Sequence, residues 1–71
     1  MSLAEIDKGT TVKIIGINGG RGVRRKLLGL GIIPGVQVKV IQRGEGNPMV
    51  LSVLDNQVML GHGMANKVLV R

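Results

Sequence analysis

Short runs of alternating apolar and polar residues dominate this chain and predict a small β-sheet protein. A two-residue period gives each strand one buried face, and β-branched residues favour extended backbone. The clearest example is 36–43, where Val36, Val38 and Val40 alternate with polar residues. The other predicted strands are 11–17 with Val12 and Ile14 inward, 49–54, 57–60, and 67–71 with Val68 and Val70 inward.

A single helix interrupts this pattern. Residues 23–30 place Val23, Leu27 and Leu30 on one apolar stripe, after a glycine-rich loop at 18–22. Segment 61–66 is too short for more than one helical turn. At the N-terminus, Leu3 and Ile6 are expected to pack on the core.

Five strands and one inserted helix in 71 residues predict a mainly β fold, a small closed or half-open barrel. Closure removes the unpaired edges that an open sheet would expose. This length supports a single domain, spanning residues 1–71.

Six apolar residues fall out of phase with the inward set. Bulges or the N-terminal segment would bury some of them, and the others would form an outer apolar patch that binds a partner or a second copy. These residues are Ile15, Ile17, Ile41, Val50, Leu54 and Leu69.

The stretch 27–35 is a sharp corner between the helix and the next strand. Gly29, Gly31, Pro34 and Gly35 stop the helix, turn the chain and start the strand. A tightly shaped apolar corner of this kind is typical of small β-barrels.

Composition limits which side chains can form the core and which cell compartment the protein suits. The chain has no cysteine and no aromatic residue, so its core must be aliphatic and methionine. Without cysteine there is no disulfide or thiolate–zinc site, which suits a reducing cytoplasm. Because there is neither an apolar run of about 18 residues nor a secretion signal, we expect a cytoplasmic protein with no membrane insertion.

The residue types available for catalysis are few. Glu5, Asp7, Glu45 and Asp55 all fall in predicted turns or terminal segments, and one histidine with two serines gives no credible triad. In the only stretch that begins like a dinucleotide fingerprint, Arg25 occupies the place of the third glycine. We therefore predict no enzyme and no cofactor.

Metal binding has one candidate ligand, His62, between two glycines. A divalent metal site normally draws on several imidazole, carboxylate or thiolate groups, and methionines are usually core residues. The sequence thus predicts no metal site, with a direct metal sensor through His62 as an alternative.

A formal net charge of +6 favours binding to an acidic partner. Arg21, Arg24, Arg25 and Lys26 cluster where the helix begins. They either cover the polar face of an amphipathic helix or, with the free N–H groups of the loop and helix, attract a phosphate or an acidic protein. The lack of stacking aromatics argues against nucleic acid.

The corner resembles the signature of the FeoA family, Leu-x-x-Leu-Gly-(Ile/Leu/Met)-x-x-Gly, and the resemblance extends over nearly the whole chain. The signature maps onto Leu27, Leu30, Gly31, Ile32 and Gly35. The flanking matches are Leu3, Ile6 and Gly9, the turn Asn47-Pro48, and the closing segments 60–65 and 68–70.

This resemblance implies an SH3-like barrel in a prokaryotic cytoplasm, which acts as an accessory or regulator of the ferrous iron transporter FeoB. The same module forms the C-terminal domain of diphtheria-toxin-repressor-type regulators, where it makes protein contacts. The family supplies no catalytic residues. Leu27, Gly31, Pro34 and Gly35 are interpreted as architectural.

The expected partner is therefore the cytoplasmic part of a FeoB-type transporter, with self-association also open. The residues predicted to contact it are Arg21, Arg24, Arg25, Lys26, Leu28, Leu30 and Ile33. The alternative is a small basic nucleic-acid-binding barrel of the ribosomal or transcription-factor type.

Overall fold

An antiparallel sheet of five strands and two short helices make up the computed structural model, which describes residues 1–44 and 46–71. The mainly β prediction with one inserted helix is confirmed, and a single helical turn lies within 61–66. In chain order the elements are a 3₁₀ turn at Leu3–Glu5, β1 at Thr11–Ile17, α1 at Arg21–Gly29, β2 at Gln37–Gln42, β3 at Met49–Val53, β4 at Asn56–Leu60, α2 at His62–Ala65 and β5 at Val68–Val70.

The strands follow the spatial order β4-β3-β2-β1-β5, and every neighbouring pair is antiparallel. Strand β1 pairs with β2 along its first half and with β5 along its second half, so the sheet curls around the core. The 3₁₀ turn contacts both β5 and α2. Within residues 1–44 and 46–71 no pairing joins β4 to β5, so the barrel is half-open.

The core is formed by the inward residues of all five strands and by one or two residues from each helix. Leu3 and Ile6 are buried in it, as the sequence predicts. The largest fully buried side chains are Leu3, Ile14, Leu27, Ile32, Met49, Leu51, Leu60, Val38, Val40, Val53, Val68 and Val70.

Burial through bulges is confirmed for part of the out-of-phase apolar set, and the outer patch stays a prediction for the rest. A register shift between Ile14 and Gly16 adds a residue to β1, and Ile17 is therefore buried. Ile41 and Val50 are half-buried beside a second shift in β2. The remaining three, Ile15, Leu54 and Leu69, are exposed.

Several predicted boundaries were wrong by one or two residues, among them the following three. Helix α1 begins at Arg21, two residues early, because Gly20 already has the extended backbone of an N-cap. Strand β2 begins at Gln37, which leaves Val36 half-buried outside it. The turn between β3 and β4 is formed by Leu54 and Asp55 and not by residues 55–56.

The corner begins with a Schellman motif at the end of α1. The N–H of Ile32 donates to the carbonyl of Leu27 at 2.9 Å, and the N–H of Gly31 donates to that of Leu28 at 3.0 Å. Gly31 takes the left-handed conformation that this motif requires, with φ of 83°. Leu27 and Ile32 occupy the two positions at which this motif usually has an apolar contact, and both side chains are fully buried in the core.

A type II turn completes the corner. The N–H of Val36 donates to Ile33 at 3.0 Å, with Pro34 and Gly35 at the two central positions and a φ of 98° at Gly35. The N–H of Gly35 donates to the carbonyl of Ile14 at 2.7 Å, which ties the corner to β1. The corner predicted from the glycines and Pro34 therefore consists of a Schellman motif followed by a type II turn.

Substitution of Gly31 by alanine should lower stability through the backbone alone. A Cβ at this position would lie at ordinary contact distance, 3.5 Å from Val53 and 3.6 Å from Leu54. The left-handed conformation costs an L-residue about 1–2 kcal/mol, so Gly31→Ala should lower the free energy of unfolding by that amount in urea titrations.

Gly29→Ala is the matched control two residues earlier. Gly29 is helical with open space around its Cβ position, so alanine there should raise stability by about 0.5–1 kcal/mol. Equal effects of the two substitutions would contradict the Schellman assignment.

Candidate functional site

One of the four cations of α1 is engaged within the protein. Arg24 donates from Nη2 to the carbonyl oxygen of Ile17 at 2.8 Å and from Nε to that of Gly19 at 3.1 Å. These two bonds join the helix to the end of β1 and to the loop before α1, whose N-cap, Gly20, has no side chain to cap the helix. Arg24 therefore fixes the direction in which α1 leaves the sheet.

The other three cations, Arg21, Arg25 and Lys26, are exposed. Across residues 1–44 and 46–71 the only ion pair joins Arg43 to Asp7, at 3.3 Å and away from α1. Arg21 lies in the first turn of α1, where a cation opposes the helix dipole by a few tenths of a kcal/mol, whereas Lys26 lies in the last turn, where a cation is favourable. The result is a positive surface on the solvent side of α1.

Beside this surface lies an apolar patch, which we name the corner patch and define as Leu28, Leu30, Ile33 and Leu54. Leu28 and Leu54 are 59% and 63% exposed, and Ile33 is 38% exposed. Leu30 is half-buried against the core. Leu54 comes from the β3–β4 turn, and its Cδ1 lies near Gly31, so the hairpin tip packs on the corner.

Leu54 is held in a conformation that leucine disfavours. Its φ is 49° and that of Asp55 is 67°, which makes the hairpin turn type I′. Such turns select asparagine, aspartate or glycine, and a left-handed L-residue costs about 1–2 kcal/mol. An exposed leucine gains little burial to offset this cost. A strained residue of this kind suggests a role outside stability.

An open groove runs along the sheet beside the corner patch. It has a volume of about 600 Å³ and lies over the outer face of β2, between Gly35 and the β3–β4 turn. Lys39 and Ser52 line its floor, and Leu54 and Asp55 form one wall. The groove offers a place for a partner's side chains next to the exposed leucines.

All seven predicted contact residues lie within 21–33 by sequence; in the structure six of them are exposed and Leu30 is half-buried. The sequence analysis named Leu54 only among the out-of-phase residues of an outer apolar patch and not with the contact residues of 21–33, because 49–54 was interpreted as strand. One signal was available: an apolar residue directly before the turn-forming pair Asp55 and Asn56, and out of phase with the core.

The groups considered for catalysis or metal binding are dispersed. Glu5 accepts hydrogen bonds from the N–H and hydroxyl of Ser2, at 3.4 and 3.3 Å. Asp7 pairs with Arg43, and Asp55 lies in the hairpin turn. His62 is exposed at the start of α2. Glu45 lies outside the described residues, and the rest of the chain holds no group of three metal-ligating side chains.

The helices are also short. Those in residues 1–44 and 46–71 include none with the length and apolarity needed to cross a membrane.

Several solved structures share this fold, among them two FeoA proteins. A crystal structure described as iron uptake regulatory protein (FeoA) superimposes with a TM-score of 0.89 at 32% identity, over 99% of this chain and 92% of that one. An SH3 domain FeoA protein of Stenotrophomonas maltophilia, complexed with zinc, gives 0.85 at 22% identity, over 100% and 89% of the two chains. The SH3-like fold is thereby confirmed.

The same fold occurs as part of a larger regulator. A manganese-dependent transcriptional repressor matches with a TM-score of 0.88 at 20% identity, over 96% of this chain and 39% of that one. This likeness concerns the fold alone.

Sequence comparison identifies the family. A curated protein of Methanocaldococcus jannaschii named "Putative Fe(2+) transport protein A" is 32% identical over 68 residues, which is 96% of this chain and 82% of that protein. The family model described as FeoA domain matches residues 1–71. The chain therefore belongs to the FeoA family.

Proposed function

We propose that this protein serves ferrous iron uptake as a non-enzymatic accessory protein that docks on the cytoplasmic part of a FeoB-type transporter. Family membership supports the link to iron transport. The dispersed acids and the exposed His62 favour a binding role over catalysis. The proposed docking surface is the corner patch together with the positive surface of α1.

The observation that carries this proposal is the strained, exposed Leu54. Leu54 is 63% exposed at a type I′ position, where asparagine or glycine would be better tolerated. On the surface, together with Leu28 and Ile33, it supplies apolar area for a partner to cover. Central apolar contacts inside a polar rim are the usual source of binding energy in such interfaces.

The cations around the corner patch indicate which charge the partner surface would carry. Arg21, Arg25 and Lys26 are exposed, and none pairs with a described acid. They favour an acidic face with an apolar centre, which they would attract and orient. Arg24, predicted as a contact residue, would contribute by positioning α1 through its bonds to Ile17 and Gly19.

Binding to the purified cytoplasmic part of a FeoB-type transporter tests the proposal directly, by calorimetry at low and physiological salt. We expect a complex that weakens as salt is raised. No binding to this part or to the detergent-solubilised transporter would overturn the proposal.

Leu54→Asn should separate stability from binding. Asparagine tolerates the left-handed region, so the free energy of unfolding should rise by about 0.5–1 kcal/mol in urea titrations. Removal of the exposed leucine should weaken transporter binding about tenfold or more.

Asp55→Gly is the control in the same turn. It also relaxes a positive-φ position but keeps Leu54, so the variant should be stabilised and lose much less binding than Leu54→Asn. If both variants bind as the unmodified protein does, Leu54 is not a contact residue.

Arg25→Glu should weaken transporter binding about tenfold at low salt, with a smaller effect at high salt, because it reverses an exposed charge in the proposed interface. Lys8→Glu changes the net charge equally at the opposite end of β1 and should have little effect. Equal losses for the two variants would indicate attraction by net charge alone.

The net charge of +6 keeps nucleic-acid binding as a second candidate. It requires affinity for DNA or RNA that falls linearly with the logarithm of salt concentration. A mobility shift at about 50 mM salt without transporter binding would favour this alternative.

A further inference from the structure

We propose that the outer edge of β4 pairs with β4 of a second copy of this chain, so that the two sheets join into one. Strand β4 is the last in the order β4-β3-β2-β1-β5. The other terminal strand, β5, is partly covered, because Ser2 forms a bridge with Leu69 and the N–H of Val70 donates to Met1. For residues 1–44 and 46–71, the only strand paired with β4 is β3.

The hairpin geometry identifies which backbone groups point outward. In a two-residue hairpin the pair next to the turn, here Val53 and Asn56, exchanges both hydrogen bonds, and alternate pairs then follow. Val58 therefore bonds to β3, while the N–H and C=O of Gln57 and Met59 face the free edge. No hydrogen bond within the described residues engages these four groups outside the β3–β4 pairing.

This edge lacks the usual protection against pairing. Native edge strands commonly carry lysine, proline or an inward charge that discourages a second strand. The five residues of β4, Asn56–Leu60, include no charged residue and no proline in a chain with ten lysines and arginines.

The edge is complementary to itself in one register. Antiparallel pairing centred on Val58 places Gln57 of each copy opposite Met59 of the other, and all eight outward groups then pair. The same register brings Asp55 beside Gly61 and His62 of the second copy. A carboxylate thus meets an imidazole at each end of the joined strands, and β4 itself adds no like charges.

The outer face beside the edge is apolar. Met59 is 66% exposed and pairs across the ladder with half-buried Val50. In the dimer Gln57 of the second copy covers Met59, and the two Met59 side chains become diagonal neighbours. The buried area is well below that of a stable obligate interface, so the dimer is weak and forms at high concentration.

Sedimentation and NMR of the purified protein alone test this inference, from about 20 μM to about 2 mM, a range suited to an interface of this size. We expect reversible dimerisation. The amides of Gln57 and Met59 should shift and become protected from exchange as concentration rises, whereas that of Val58 should be protected throughout. This alternation is specific to pairing through the outer edge.

Met59→Lys places a charge on the edge at an exposed position and should weaken dimerisation at least about tenfold. Gln37→Lys adds the same charge at an exposed position of the central strand β2 and should leave dimerisation unchanged. The amide measurement on the unmodified chain is independent of both variants.

A monomer at every concentration would overturn the proposal. So would association with equal losses in the two lysine variants, or concentration-dependent shifts confined to other strands. Because no transporter is present, this result is separate from the proposed docking function.

Discussion

The hydrogen-bonded corner that buries Leu27 and Ile32 is the constraint on which the rest of the structure depends. With no aromatic residue and no cysteine, the core is held only by close packing of aliphatic and methionine side chains. These two residues are fully buried and linked by the hydrogen bond that ends α1. They fix the helix against the sheet, and through Gly35 the same segment bonds to β1.

The fixed corner also determines what the surface presents. Once Leu27 points inward, Leu28 must point outward on the same helix, and the type II turn leaves Ile33 partly exposed. Leu54 joins them from the hairpin at a cost in backbone strain. Leu28 is therefore exposed as a consequence of how α1 packs, whereas Leu54 is exposed at a strained backbone position that lowers stability.

The half-open barrel gives its two terminal strands different roles. The N-terminal segment covers part of β5, whereas β4 keeps free backbone groups and an uncharged outer edge. The corner patch and the β4 edge lie on either side of the β3–β4 hairpin. One surface suits a heterologous partner of acidic character, and the other suits a second copy of the same chain.

Period-two alternation and the glycine–proline corner determined the strand number, the single main helix and the fold class from sequence. They could not determine the β3–β4 register. Turns at Leu54–Asp55 or at 55–56 differ by a two-residue slip, which leaves every inward residue inward, so the hydrophobic pattern is the same for both. Residue preference favoured 55–56. Tertiary packing of the hairpin tip against Gly31 accompanies the other turn. Only the fold could show that Leu54 lies beside the corner, or that Arg24 donates to the carbonyl oxygens of Ile17 and Gly19.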